Sequence, residues 1–91
     1  MQIILKKRLT PSEKERHWVR IPENVRSLFP PDEVKFKVRV GRGVRTTRID
    51  CYRRLFLGSI IFGDLDLDIP NARIVVEKDD KGEYVVRKNE E

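Results

Sequence analysis

A mainly β domain is the fold class this sequence predicts: a small barrel or pseudobarrel of about six or seven short strands, with one short helix at 22–29. Three features point there. Residues 34–40 alternate apolar and cationic at the period of a strand, short apolar runs recur between Gly, Pro and Asp turn signals, and only the segment after Pro22 has sustained helical spacing.

Taken in order, Ile3–Leu5 opens an apolar strand that runs into Lys6, Lys7 and Arg8. Thr10-Pro11-Ser12-Glu13 has the form of a capping box with proline at the first helical position, but the polar stretch behind it is short. A loop with one helical turn is expected over 10–16. His17–Ile21 alternates as a strand; with Val19 and Ile21 inward, Trp18 and Arg20 face out together. Pro22 starts the helix, Val25, Leu28 and Phe29 form its apolar stripe, and Pro30-Pro31 ends it.

Val34–Val40 is the clearest strand, with Val34, Phe36, Val38 and Val40 on one face and Lys35, Lys37 and Arg39 on the other, about 6 to 7 Å apart along the chain. Gly41-Arg42-Gly43 turns the chain, and Val44–Leu57 is expected to return as a long second strand. With Arg42 and Gly43 as the loop, Phe36 meets Ile49, Val34 meets Cys51 and Val38 meets Thr47 on the core face. On the outer face Arg39 meets Thr46, Lys37 meets Arg48 and Lys35 meets Asp50. Arg53 breaks the alternation, which suggests a bulge. Gly58–Phe62 and Leu65–Ile69 read as further short strands. A hairpin of Arg73–Lys78 and Glu83–Arg87 closes the chain around Asp79-Asp80-Lys81-Gly82, where a final glycine suits a type I turn with a left-handed bulge residue. Residues 88–91 read as a frayed polar tail.

Ninety-one residues suffice for a single domain over 1–91. No run of 18 apolar residues occurs, and MQIILKKRL places its apolar residues before its cations, the reverse of a signal peptide, so a cytoplasmic protein without membrane association is expected. One cysteine and one histidine cannot make an internal disulfide or a structural zinc site. The 38% of charged residues and the single glutamine match the bias of thermophile proteins.

Charge is divided along the chain. Residues 1–54 hold fifteen Lys/Arg against six Asp/Glu, and residues 55–91 hold five against nine, so the net +5 is a +9 segment followed by a −4 segment. Such a division suits a polyanion at one face. Within 35–48, KFKVRVGRGVRTTR, six cations stand without an acid. A basic two-stranded ribbon has the dimensions to follow a phosphate backbone or enter a major groove, and a partner would relieve the repulsion between facing cations. The ordinary alternative is a charged face that keeps a strand soluble. The expected phosphate contacts are Lys35, Lys37, Arg39, Arg42, Arg45 and Arg48, with Arg20 and Arg26 secondary.

Trp18, beside Arg20 and His17, suits either a stacking surface for bases or the core, and Tyr52 and Phe56 share that ambiguity. Asp64-Leu65-Asp66-Leu67-Asp68 lacks the glycine and glutamate of a calcium loop, and a strand with wet carboxylates is expected there. Cys51 and His17 are the single Cys/His pair, and Cys51 is expected in the core. No elbow, phosphate loop or zinc-protease motif occurs. A binding protein is expected, with no catalytic residue, metal or cofactor.

Residues 20–29, RIPENVRSLF, followed by PDEVKFKV at 31–38, resemble the core signature of AbrB-type (SpoVT/AbrB-like) transition-state regulators and related antitoxins: a strand entering I-P, a short helix with a central arginine, then a D-x-V-x-V strand. The resemblance implies a small DNA-binding β domain, often an intertwined homodimer, with arginines at the positions of Arg20 and Arg26 on DNA. AbrB-type domains are about half this length and lack the long basic hairpin and acidic β region. The extra length resembles monomeric pseudobarrels such as the DNA-binding domains of plant auxin-response factors and restriction-enzyme effector domains. A transcriptional regulator or chromatin-type protein on double-stranded DNA is thus the first expectation. An RNA or single-strand binder and an antitoxin-like or assembly module are the others.

Overall fold

The computed structural model describes residues 2–89. Among these residues seven strands form two sheets. β1 (Gln2–Arg8), β3 (Phe36–Val40), β4 (Gly43–Thr47), β6 (Arg73–Lys78) and β7 (Tyr84–Lys88) make a five-stranded sheet in the order β1-β6-β7-β3-β4, and β2 (Trp18–Arg20) pairs with β5 (Arg54–Phe56) as a separate two-stranded ribbon. The mainly β expectation holds. The sheets do not close into a barrel, because β1 and β4 remain edge strands of the larger sheet.

The core lies where the two sheets and the helices converge. Val38, Val40, Ile74, Val76 and Val86 from the large sheet cluster with Val19, Leu55 and Ile49 from the ribbon region, and with Phe29, Ile61, Phe62 and Leu67 from the connections. Burial of these side chains is the main favourable term holding the ribbon to the sheet. β3 and β7 run parallel, Val38 beside Tyr84, so the C-terminal hairpin, with its Glu83, lies directly against the basic one.

Thr10 caps α1 (Pro11–Arg16), a full helix where a single turn was expected. Its side chain accepts from the Glu13 N–H, and the Glu13 carboxylate accepts from the Thr10 N–H. His17 ends it in the left-handed region, φ 61°, so β2 begins at Trp18 rather than at His17. The segment after Pro22 is a 3₁₀ helix, Glu23–Leu28, tighter than an α-helix. Its expected stripe is divided: Phe29 turns inward and stacks on Tyr84 at 5.6 Å, whereas Leu28 remains exposed.

The basic hairpin forms, with its register displaced by two. Phe36 pairs with Thr47, Lys37 with Thr46, Val38 with Arg45 and Arg39 with Val44. The turn is Gly41-Arg42 instead of Arg42-Gly43. Positive φ falls on Gly41, 57°, the first central position, as in a II′ hairpin turn. A two-residue displacement preserves faces, so the inward and outward assignments on β3 survive it. Val34 and Lys35 precede β3 and are exposed.

The long second strand breaks. β4 ends at Thr47, Ile49 bridges to Leu55, and the chain reverses through 50–54, leaving Cys51 exposed rather than in the core. Gly58–Phe62 is also not a strand: Gly58–Asp64 forms α2. The N–H groups of Leu57 and Gly58 both donate to the His17 carbonyl, and Leu57, Ile61 and Phe62 are buried with Leu65 packed beside them, an i, i+4, i+5, i+8 stripe. Phe62 meets the His17 ring edge-on at 5.2 Å. Residues 65–69 are turns and bends in which Leu67 is buried, not a strand. The final hairpin matches expectation within a residue; Gly82 takes φ 81° and its N–H donates to the Asp79 carbonyl. Of the expected frayed tail, Lys88 completes β7 and Asn89 is buried, its N–H donating to the Arg73 carbonyl. Glu90 and Glu91 lie outside the described residues.

Candidate nucleic-acid interface

The expected phosphate contacts occupy several positions. Lys37 and Arg39 face outward from β3, and Arg42 lies at the hairpin tip. Arg45 pairs with the buried Val38 and so points to the opposite side of the sheet, exposed because β4 is an edge. Arg39 is paired with Glu83, which the parallel β3–β7 contact brings beside it. Arg48 donates to both carboxylate oxygens of Glu33, at 3.1 and 2.9 Å. Arg26 donates to the Pro30 carbonyl and to Asp32, each at 2.6 Å, tying the 3₁₀ helix to the loop after it. Lys35, Lys37, Arg42 and Arg45 have no ion pair with a described residue. The hairpin therefore does not present six free cations on one surface.

A better organised surface lies on the β2–β5 ribbon. Trp18 pairs with Phe56, and Arg20 with Arg54, all on the face opposite the buried Val19 and Leu55. The guanidinium of Arg20 sits 5.3 Å from the Trp18 ring centre. That of Arg54 is 5.8 Å from Trp18, 5.6 Å from Phe56 and 5.1 Å from Tyr52, and that of Arg48 is 4.7 Å from Phe56. The order across the face is Arg20, Trp18, Arg54, Phe56, Arg48, with Tyr52 also on Arg54. Trp18 and Phe56 are half-buried and Tyr52 is 65% exposed, so Trp18 is a surface ring seated on the ribbon. Such alternation fixes the flat sides of cations and rings while leaving guanidinium edges free to donate.

Asp50 builds this face. Its carboxylate is buried and accepts from the Tyr52 and Arg54 N–H groups at 3.0 and 2.9 Å and from Arg54 Nε at 2.6 Å. Burial pushes its pKa up, but the backbone and side-chain bonds from Arg54 and the Tyr52 N–H outweigh that and hold it below the ordinary 3.8. The turn it closes carries Arg53 at φ 63°, pinned because Ile21 N–H donates to the Arg53 carbonyl at 2.7 Å and Arg53 Nε returns to the Ile21 carbonyl at 3.1 Å. Asp50 was expected to stand across from Lys35. Its actual role is that of an Asx-type turn, in which the carboxylate accepts from the N–H groups two and four residues on, and any non-proline residues there would supply those donors.

Glu13 organises the other end. Only 2% exposed, it accepts from the Thr10 N–H at 2.9 Å, from Lys7 Nζ at 2.7 Å and from the Arg20 N–H at 2.7 Å, fixing α1 against the β2 edge. Two grooves extend the face. One, lined by Lys35, Thr46, Thr47, Arg48 and Phe56, joins it to the hairpin; the other, lined by Lys7, Ser12, Glu13, Trp18, Arg20 and Arg53, lies beyond Arg20. Among the described residues no three His, Cys, Asp or Glu side chains are placed to hold a metal ion, and no helix is long and apolar enough to cross a membrane. No family model, curated protein or solved structure matches the chain.

Proposed function

We propose that this domain binds nucleic acid across the ribbon face and the adjoining hairpin. The observation that carries the proposal is the alternating Arg20, Trp18, Arg54, Phe56, Arg48 order, with each guanidinium within 6 Å of a ring centre. Aromatic faces accept any base, and stacked arginines direct their edges at phosphates. Exposed ion pairs such as Arg48–Glu33, 41% and 59% exposed, contribute little, so a phosphate can exchange for the glutamate.

Of the two nucleic acids expected, the face favours strands with unpaired bases, RNA or single-stranded DNA, because it gathers the half-exposed Trp18 and Phe56 and the exposed Tyr52, while Arg39 and Arg48 are already paired. Duplex DNA remains the second reading. It rests on Lys35, Lys37, Arg42 and Arg45, which have no ion pair with a described residue, and the AbrB-like stretch adds Arg20 to it. A transcription-regulating role depends on that second mode. Anisotropy titrations of labelled single-stranded DNA, RNA and flush duplex at several salt concentrations test the proposal. Micromolar or tighter binding that weakens with salt, strongest for single strands, is expected. Failure of all three to bind at low salt, or salt-indifferent affinity, discards it.

A further inference from the structure

The groove between α1 and β2, about 460 Å³ in volume, lies at the end of the stacked face and is lined by Lys7, Thr10, Ser12, Glu13, Trp18, Arg20, Pro22 and Arg53. That volume is within the range that small-molecule sites occupy. We propose that it seats one unpaired nucleotide of the bound strand, with the base against the Trp18 indole and the phosphate between Arg20 and Arg53. The inference rests on the nucleic-acid function proposed above and names the unit recognised.

Charge complementarity selects this occupant. The one carboxylate of the groove, Glu13, has both oxygens engaged within the protein, by Thr10, Lys7 and Arg20 backbone and side-chain donors. Arg20 has no carboxylate partner among the described residues, and its guanidinium already lies on Trp18. Arg53 spends Nε on the Ile21 carbonyl, and its two terminal amino groups have no partner among the described residues. Both arginines line the same groove, and their remaining N–H donors suit a tetrahedral anion. Holding a long side chain at φ 63° costs about 1 to 2 kcal/mol, the kind of strain found at binding sites. Lys7 Nζ, bonded to Glu13 and to the Arg20 carbonyl, retains a third donor, and the Ser12 hydroxyl at the rim adds another. Trp18 and Pro22 supply the apolar wall. A base inside a duplex has both faces covered, so only an unpaired, bulged or terminal nucleotide can stack on Trp18.

Trp18 is the chain's single tryptophan, so its fluorescence reports on the groove and the face beside it, and the groove variants separate the two. The full chain is titrated with a single-stranded DNA, the RNA of the same sequence, a flush duplex, the same duplex carrying a one-nucleotide bulge, and a glutamate-rich peptide. Ser12→Phe fills the groove from an exposed helix position. Arg53→Gly removes the guanidinium and relaxes the backbone, so it stays informative if the bulkier variant unfolds. Lys81→Ala, in the exposed turn of the β6–β7 hairpin, is the control. Single strands and the bulged duplex quench Trp18 while the flush duplex does not. Both groove variants weaken the former by about tenfold, leaving the flush duplex within twofold. Tighter binding of either the DNA or the RNA strand supports the pocket and names its sugar. Single strands that quench Trp18 yet bind both variants as tightly as the native chain overturn the pocket while leaving the face as the binding surface, and single strands that bind without quenching overturn both. Tighter binding of the peptide than of any strand overturns it in favour of an acidic protein partner. Failure of every nucleic acid to bind at low salt removes the function itself.

Discussion

Two basic regions of this molecule are built on different rules. The β3–β4 hairpin has the greater charge density, yet its cations diverge: Arg45 faces the other side of the sheet from Lys37, Arg39 meets Glu83, and Arg42 sits at the tip. The β2–β5 ribbon has fewer cations, but each is held by a ring, a carboxylate or the backbone. Density of charge sets long-range attraction, whereas a site needs side chains whose freedom is already spent.

The largest expected effect breaks the ribbon at its base. Asp50→Ala removes a buried acceptor of three hydrogen bonds and should cost about 2 to 3 kcal/mol in urea unfolding, with nucleic-acid affinity falling further than for any hairpin variant. A loss under about 1 kcal/mol would mean the loop stands without it. Acid gives the same comparison in the native chain. Because the folded pKa of Asp50 lies below the ordinary 3.8, its contribution is fully present above about pH 4 and is lost as pH falls through the folded value. Asp50→Asn should flatten that part of the acid stability profile.

Next in size, Trp18→Ala should weaken binding of single strands by about 10- to 100-fold with little change in salt dependence, since it deletes stacking and no charge. A change of threefold or less would move the site to the hairpin. Arg45→Ala should weaken every nucleic acid by only about threefold and reduce the slope of log affinity against log salt by at most about 1. If it instead equals Trp18→Ala, the two regions are equivalent. Smallest is Glu33→Gln, which releases Arg48. Affinity should rise about twofold while stability changes by less than about 0.5 kcal/mol, as for an exposed ion pair.

Both regions were partly legible in the residues. With Val19 and Ile21 inward, alternation put Trp18 and Arg20 outward, and the period holds, although a lone tryptophan in so small a domain suited the core equally well. Thr10 and Glu13 showed a capping box, although the depth of Glu13 and its bonds to Lys7 and Arg20 depend on β1 and β2 meeting α1. Ile60-Ile61-Phe62 read as a strand because β-branched and aromatic residues favour one; the His17 carbonyl and the core made it a helix instead. Asp50 read as one more charge on a strand, since nothing local announces that a chain will reverse and bury a carboxylate.

What the sequence by itself determined is the mainly β character, the inward and outward faces of β2 and β3, the α1 cap and the concentration of positive charge before residue 55. All of these follow from short-range period and composition. Which cations remain unpaired, and which rings lie open beside them, was decided by the tertiary structure. The parallel contact of β3 with β7 brings Glu83 to Arg39, and the turn at Asp50 brings Arg54 between Trp18, Tyr52 and Phe56. Ion pairs and stacks of this kind join residues distant in the chain, and only the closing of the fold places them within reach.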